Sequence, residues 1–504
     1  MKIFSIKFNI FGNMTGMFII VLLTLFATPY FIKFLGPEAF GLVGFFYLFS
    51  MCLSTFDLGM SPYLQREIAK FTKNKDIDEE FRKVIQVISI YFVFIIVTIN
   101  ILAFPFSELI INYWFSLDAW EVLPIIQVEQ SIKLIFLTSS LLVLVNLFKF
   151  GLTGCHYHYW LNIFLIIISL LRYIGSILLI SIFDGTIVDF FIYQAFVALI
   201  SVVVMGFKFY QQLPEKVYLV QDLNISFFKK VFSNTTKIAA LSILWIVTYQ
   251  LDKVLLSKTL PLVEYGYFSL ITILCAGIIM IAGPIKRAIQ PTISIMFLSD
   301  GISKSIDLYR KASHLITIIS SSLVITLCLY SVPIALFWTK DLTASLWIAD
   351  RLYLFVIGAG LASIQSILLA LQESRGDLKL QIKLNTIFLI IQIPLMLFGV
   401  LFYGVVGIGM AWMFTRIFSF IISLYFIHNS YDKNLNKNWF FKDFLPVILI
   451  QVFIAFILSK YLTNEVIFTL EYPIVGVLFA GITIFLSSFL SSHYLYAYFS
   501  NNFR

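Results

Sequence analysis

The chain has 504 residues, of which 60% are hydrophobic and 12% charged, about half the charge of a soluble globular protein, and its mean hydropathy is +0.95. These values exclude an ordinary water-soluble domain and point to lipid as the solvent. The net charge of +8 does not indicate nucleic acid, because the basic residues lie in short loops between apolar runs, where membrane orientation rules put them.

Inside hydrocarbon every backbone N–H and C=O needs an internal partner, and only helices and closed barrels supply one. Barrel strands alternate apolar with polar residues, whereas this chain stays apolar over whole stretches such as Phe18-Ile19-Ile20-Val21-Leu22-Leu23. The predicted fold class is therefore an all-α polytopic membrane protein. At about 20 apolar residues per crossing, the chain yields fourteen spans: 10–34, 40–62, 84–104, 131–152, 161–182, 187–208, 238–259, 265–286, 313–336, 351–371, 383–402, 406–427, 445–462 and 473–492. The first is long enough to cross and lacks a small-residue cleavage pattern, so it reads as a retained helix.

Fourteen spans put both termini on one side. Of the 35 lysines and arginines, 26 fall on that side and 7 on the other, Lys253 among the seven lying within a span, while Arg172 and Arg416 sit mid-span. The positive-inside rule then places both termini in the cytoplasm and the protein in the cell inner membrane. The outer loops near 105–130, 337–350 and 463–472 are shorter than the roughly 50 residues a domain needs. Loop 63–83 interleaves Arg66, Lys70, Lys73, Lys75, Arg82 and Lys83 with Asp76, Asp78, Glu79 and Glu80. It fits an amphipathic helix on anionic lipid or a solvated loop that follows the charge rule.

Three short segments recur. Glu38-Ala39-Phe40-Gly41-Leu42 matches Val263-Glu264-Tyr265-Gly266-Tyr267, Glu80-Phe81-Arg82-Lys83 matches Leu308-Tyr309-Arg310-Lys311, and the Leu161-Asn162 opening of span 5 matches Leu384-Asn385 in span 11. Their shared offset predicts a parallel repeat of two six-helix lobes. The expected organisation is a lobe over 1–210, a cytoplasmic linker over 211–237, a second lobe over 238–430, and two additional helices with a cytoplasmic tail over 431–504, with a cavity between the lobes.

Phe34-Leu35-Gly36-Pro37-Glu38-Ala39-Phe40-Gly41-Leu42, Asp57-Leu58-Gly59-Met60-Ser61-Pro62 with Arg66-Glu67-Ile68-Ala69, and Gln250-Leu251-Asp252-Lys253-Val254-Leu255-Leu256-Ser257 resemble stretches of the bacterial polysaccharide repeat-unit flippases. That family belongs to the multidrug/oligosaccharidyl-lipid/polysaccharide exporter superfamily. The resemblance implies transport of an undecaprenyl-diphosphate-linked oligosaccharide from the cytoplasmic to the periplasmic leaflet, for O-antigen or capsular polysaccharide. It also implies ion-gradient coupling by proton or sodium, contact with membrane lipids, and a polysaccharide polymerase as a partner.

Arg172 in span 5 and Arg416 in span 12 fall near the bilayer centre, where a charge is costly and calls for a watery cavity or a partner. Guanidinium is the best fork for phosphate oxygens. Both are candidate substrate-binding cations; a structural pair, or Arg416 stacked over Trp412 one turn earlier, is the alternative. Asp252 and Lys253 project about 100° apart on a helix and are not expected to pair with each other. Asp252 either couples transport to an ion, with Tyr249 nearby, or pairs with another span while Lys253 reaches the outer surface. Asp57 either gates or caps a helix end, since Gly59 and Pro62 can break the helix beyond it. Lys286 and Arg287, after Gly283-Pro284 at the end of span 8, either meet the diphosphate or anchor the inner surface.

His156 and His158 have no further ligand beside them, so no metal is expected. Cys52, Cys155, Cys275 and Cys328 form no CxxC. No P-loop, GxSxG or HExxH occurs, and neither a cofactor nor enzymatic activity is expected. Two rivals to the flippase reading are a multidrug/cation antiporter, which would need a dominant buried carboxylate, and a membrane-bound polysaccharide polymerase, which would need a sizeable periplasmic loop.

Overall fold

The computed structural model describes residues 6–74, 79–114, 123–213, 225–299, 302–375, 379–469 and 472–492. Among them there is no strand, and the protein is an all-α membrane-spanning chain. Among the described residues, eleven helices are long and apolar enough to cross a bilayer, and Ile19–Leu35 is a shorter apolar helix. One of the eleven, α14 (Lys379–Tyr431), is really two crossings, because Gly404 adopts φ 54 and ψ −132 in its middle. Only glycine takes such a backbone without strain, and this is the turn expected between residues 402 and 406. With the 35-residue α9 (Ile225–Thr259), the predicted spans fall on helical segments, spans 2, 5 and 9 each being made of more than one. The chain divides into two compact units, Met1–Gly266 and Tyr267–Arg504.

The first unit holds α1 (Ile6–Leu35), α2 (Pro37–Leu53), α3 (Met60–Asn74), α4 (Glu79–Leu109), α5 (Ile125–Gly154), α6 (His158–Leu170), α7 (Ser176–Phe183), α8 (Ile187–Tyr210) and α9. Gly36, at φ 87, ends α1 and lets Pro37 open α2, the first helical position being where a missing N–H costs nothing. Glu38 in that first turn is buried, and its Oε2 accepts from the Leu123 backbone N–H at 2.9 Å. A Cβ on Gly41 would lie 2.2 Å from the Leu262 carbonyl oxygen, and one on Gly266 would lie 2.6 Å from that of Pro37. The repeat-related glycines thus sit where two helix starts cross with no room for side chains.

Span 2 is shorter than predicted. A 3-10 turn, Ser54–Asp57, closes it, and Leu58 (φ 47) and Gly59 (φ 74) turn the chain into α3. α3 is amphipathic: Tyr63, Leu64 and Ile68 are buried while Arg66 and Lys70 face out. Lys75, Asp76 and Asp78 of the same expected surface segment lie outside the described residues. Ring packing of Phe31 on Phe190 (5.3 Å) and Phe46 on Phe191 (5.8 Å) ties α1 and α2 to α8.

The second unit holds most of α10 (Leu262–Ser299), then α11 (Ile302–Leu329), α12 (Ser331–Thr339), α13 (Leu342–Arg375), α14, α15 (Leu435–Asn438), α16 (Leu445–Tyr461), α17 (Asn464–Thr469) and α18 (Pro473–Leu490). Span 8 does not end at Gly283-Pro284 as predicted; α10 continues to Ser299 with Pro284 and Pro291 inside it. Prolines are tolerated within membrane helices when neighbours satisfy the freed carbonyls. Tyr309, Ile316, Ile367, Leu371, Ile427 and Trp439 are buried together and draw α11, α13, α14 and the approach to α16 into one core.

Candidate functional site

In the first unit, Arg172 lies on a five-residue π-helical turn, Leu171–Gly175, that interrupts span 5. Such turns break the regular ladder and recur at functional sites. Here α8 satisfies the displaced carbonyls: Tyr193 Oη donates to the Leu171 oxygen (3.0 Å) and Gln194 Nε2 to the Arg172 oxygen (3.3 Å). Ser176 Oγ also donates to the Arg172 oxygen at 2.5 Å. A Cβ on Gly175 would fall 2.0 Å from Tyr193 Oη, so only glycine admits the phenol. The Arg172 side chain is half-buried and lines a cavity of ≈140 Å³ with Ser169, Tyr173 and Ser201. Its Nε is buried and makes no hydrogen bond among the described residues. Tyr47 and Tyr173 share a hydrogen bond within electrostatic range of this guanidinium. An unsatisfied cationic donor beside hydroxyls is a site that can receive an anion.

Asp252 of α9 is 3% exposed. Contrary to the sequence expectation, it does pair with its neighbour: Lys253 Nζ lies 3.3 Å from Asp252 Oδ1 and donates to the Tyr249 carbonyl at 2.8 Å. The four-carbon lysine stem folds back along the helix, and in a site poor in water the carboxylate is its nearest compensation. The Tyr265 phenol also lies within electrostatic range of Asp252.

Asp57 Oδ1 accepts from the backbone N–H (2.8 Å) and the hydroxyl (3.0 Å) of Ser61. The carboxylate therefore caps the start of α3, directly after the left-handed Leu58 and Gly59.

The second unit treats Arg416 differently. The residue is 6% exposed, and its guanidinium carbon sits 4.1 Å from the Trp412 ring centroid. Gly358 of α13 makes the space, since a Cβ there would come within 2.7 Å of Trp412 Nε1 and 3.2 Å of Arg416 Cγ. Lys286 forms an ion pair with Glu373 at 2.9 Å, joining α10 to α13, whereas Arg287 beside it is exposed. The site residues thus separate into Arg172, Asp252 and Asp57 in the first unit and Arg416, Lys286 and Arg287 in the second.

Sequence reasoning missed a buried polar network in the second unit. Arg310 holds Asp443, which is fully buried, through Nε–Oδ2 at 2.6 Å and an Nη2–Oδ1 bond at 3.1 Å. His314 Nδ1 meets the Asp443 carbonyl oxygen at 2.8 Å, and its Nε2 meets Ser492 Oγ at 2.8 Å. Because a carbonyl only accepts, Nδ1 carries the proton. Tyr309 Oη and His428 Nε2 are 2.7 Å apart, and Trp439 Nε1 donates to Ser313 Oγ at 2.9 Å. Arg310 and His314 stand one turn apart on one face of α11, and an acid precedes the apolar run of α16. That pattern is the available signal, and the positive-inside rule, which accounts for the same basic residues as orientation markers, masks it.

The profile of the polysaccharide biosynthesis protein family matches residues 6–297. No curated protein matches the sequence significantly. Among solved structures, the lipid II flippase MurJ in an inward closed conformation superposes with a TM-score of 0.69 at 17% identity, covering 97% of this chain and 99% of that one. An inward-facing multidrug resistance MATE family transporter of the MOP superfamily gives 0.65 at 16% identity, covering 83% and 96%. The MATE multidrug transporter DinF-BH gives 0.62 at 17% identity, covering 86% and 97%. At such identities the likeness establishes the fold, one built in these proteins for transport. The profile match spans more than half of the sequence, and the chain belongs to the polysaccharide biosynthesis protein family.

Proposed function

We propose that the protein is a flippase that moves an undecaprenyl-diphosphate-linked oligosaccharide repeat unit from the cytoplasmic to the periplasmic leaflet, for O-antigen or capsular polysaccharide synthesis. The observation that carries this reading is Arg172, an intramembrane guanidinium with an unsatisfied Nε on a π-helical turn beside a cavity. An uncompensated cation at that depth is costly and calls for an anionic visitor, and the substrate's diphosphate supplies a bidentate acceptor. Arg416, held by Trp412, is the second unit's own intramembrane cation. Exposed Arg287 is a first contact for the headgroup at the inner surface; Lys286, tied to Glu373, fixes the helix that carries it. In this reading the protein sits in the cell inner membrane with both termini cytoplasmic, as the basic asymmetry requires, and a polysaccharide polymerase consumes its product.

Asp252 is the candidate coupling group. Its carboxylate is buried beside Lys253 and Tyr265, so binding a proton or sodium ion there would release the ammonium and change how α9 packs against its neighbours. Asp57, as the cap of α3, holds the inner end of span 2 and serves as a hinge of the inner gate. A second reading, a multidrug/cation antiporter, draws on the same buried Asp252, but Lys253 already neutralises that carboxylate and disfavours a cationic cargo.

Deleting the gene should abolish surface polysaccharide while the lipid-linked repeat unit accumulates on the inner leaflet. Normal polysaccharide in the deletion strain would reject the reading. In proteoliposomes, translocation should collapse with the ion gradient and in Asp252→Asn; transport that persists in the variant would remove Asp252 from the coupling role.

A further inference from the structure

A cavity of ≈380 Å³ opens between α11, α16 and α18 in the second unit. One end is polar, formed by Lys442, His314, Ser491 and Ser492; the wall beyond it is apolar, with Val447 and Ile450. The polar end is built rather than incidental. His314 is 4% exposed and Ser492 6%, and the imidazole is fixed between the Asp443 carbonyl oxygen and Ser492 Oγ, both at 2.8 Å. Asp443 is in turn clamped by Arg310. Lys442 is exposed and forms no ion pair among the described residues, because the acid next to it is already engaged by Arg310. The Ser491 hydroxyl donates only to carbonyls of its own helix, Ser487 (2.7 Å) and Ser488 (3.1 Å), and can turn outward.

The cavity also lies at a defined level of the membrane. The charged residues of α11 end at Lys311 and its apolar and hydroxyl run begins beyond; Lys442 and Asp443 precede the apolar run of α16; α18 ends at Leu490, just before Ser491. Three spans change from polar to apolar at the same place, the depth at which lipid phosphates stand. Basic pockets between helices at that level hold anionic headgroups. We propose that this cavity binds an anionic phospholipid, its phosphate on Lys442 and Ser491 and the start of its acyl chains along Val447 and Ile450. The bound lipid braces α16 and α18 against α11 and is separate from any transported cargo.

The test is native mass spectrometry of the purified full-length protein titrated with phosphatidylglycerol or phosphatidylcholine. Wild type should retain phosphatidylglycerol preferentially. Lys442→Gln should weaken that binding about fivefold, the contribution of one interfacial lysine, and Lys442→Arg should restore it. Lys460→Gln, at the far end of the same helix, should leave it unchanged. Equal retention of the two lipids, as would follow if the chain's own terminal segment filled the groove, overturns the proposal. So does an equal loss in Lys442→Gln and Lys460→Gln, which would mean diffuse surface attraction. Displacement of phosphatidylglycerol by an equal concentration of inorganic phosphate would make this a free-anion site and likewise overturn it.

Discussion

The two intramembrane arginines are the same residue at similar predicted depth, yet the two units house them in opposite ways. Arg172 stands on a π-helical turn whose carbonyls are satisfied from α8, and its half-buried side chain lines a cavity. Arg416 stands on a regular helix, 6% exposed, with its guanidinium over the Trp412 ring and a glycine of α13 cleared to admit the pair. A buried charge can be met by the fold or left for a ligand to meet. The first choice yields stability; the second yields a binding site at some cost in stability.

The largest effect should come from setting the two arginines against each other. Arg172→Ala should reduce transport about 10- to 100-fold, the loss of a charge-assisted contact of roughly 1.5–3 kcal/mol, while protein stays in the membrane at normal level, since removing a central charge eases insertion. Arg172→Lys should keep part of the activity, because the charge remains and the fork is lost. Arg416→Ala should do the reverse: it gives up a desolvated cation–π contact of about 2 kcal/mol, so protein level and thermal stability fall more than transport per molecule. Surface polysaccharide and membrane protein level measured together separate the cases. Normal polysaccharide with both arginines replaced would end the anion-binding reading.

Why one arginine could be distinguished from the other only in three dimensions is physical. Hydropathy follows from composition along the chain, so the predicted spans fall on helical segments, and the Gly404 turn lies in the three-residue gap, Tyr403-Gly404-Val405, left between two predicted spans, where so tight a reversal demands a backbone only glycine adopts easily. Mid-span charges were equally visible as outliers. The π-helical turn was not, because it depends on Tyr193 and Gln194, more than twenty residues away, reaching back to free carbonyls. Nor was the clamp of Arg310 on Asp443, 133 residues apart. Pairing of Lys253 with Asp252 was missed for a different reason: helical angles describe where side chains start, not where a flexible lysine ends.

The second unit's arrangement can be challenged through its glycine. At Gly358 an added methyl group would press within 2.7 Å of Trp412 Nε1 and 3.2 Å of Arg416 Cγ. The indole is rigid and only 4% exposed, so the contact cannot be relieved cheaply. Gly358→Ala should destabilise the protein by roughly 1–3 kcal/mol, the usual cost of overpacking, read as a lower unfolding temperature in detergent. If Arg416→Ala accompanied it, part of the loss should be recovered, because the side chain that crowds the site is gone. An unchanged unfolding temperature in Gly358→Ala would show that α13 and α14 are not packed as tightly as the arginine's housing requires.

The smallest effect is the most discriminating for the first unit. Tyr193→Phe removes one hydroxyl and the 3.0 Å bond to the Leu171 carbonyl. Interhelical hydrogen bonds in membranes average about 0.6 kcal/mol, so global stability should barely move. The Leu171 carbonyl, however, would then be unsatisfied in a dry environment, and the segment can recover a partner by returning to regular α-helical register. Removing the extra residue of a π turn rotates what lies on one side of it by about 100° relative to the other, which would turn Arg172 out of its cavity. Transport should therefore fall about threefold or more, since 0.6 kcal/mol is the least by which the register equilibrium shifts, with protein level and unfolding temperature intact. Gly175→Ala, which forbids the same phenol contact by sterics, should reproduce the phenotype. A purely structural bond predicts the opposite pattern, a small drop in stability with transport per molecule unchanged, and that result would detach the π-helical turn from the function of Arg172.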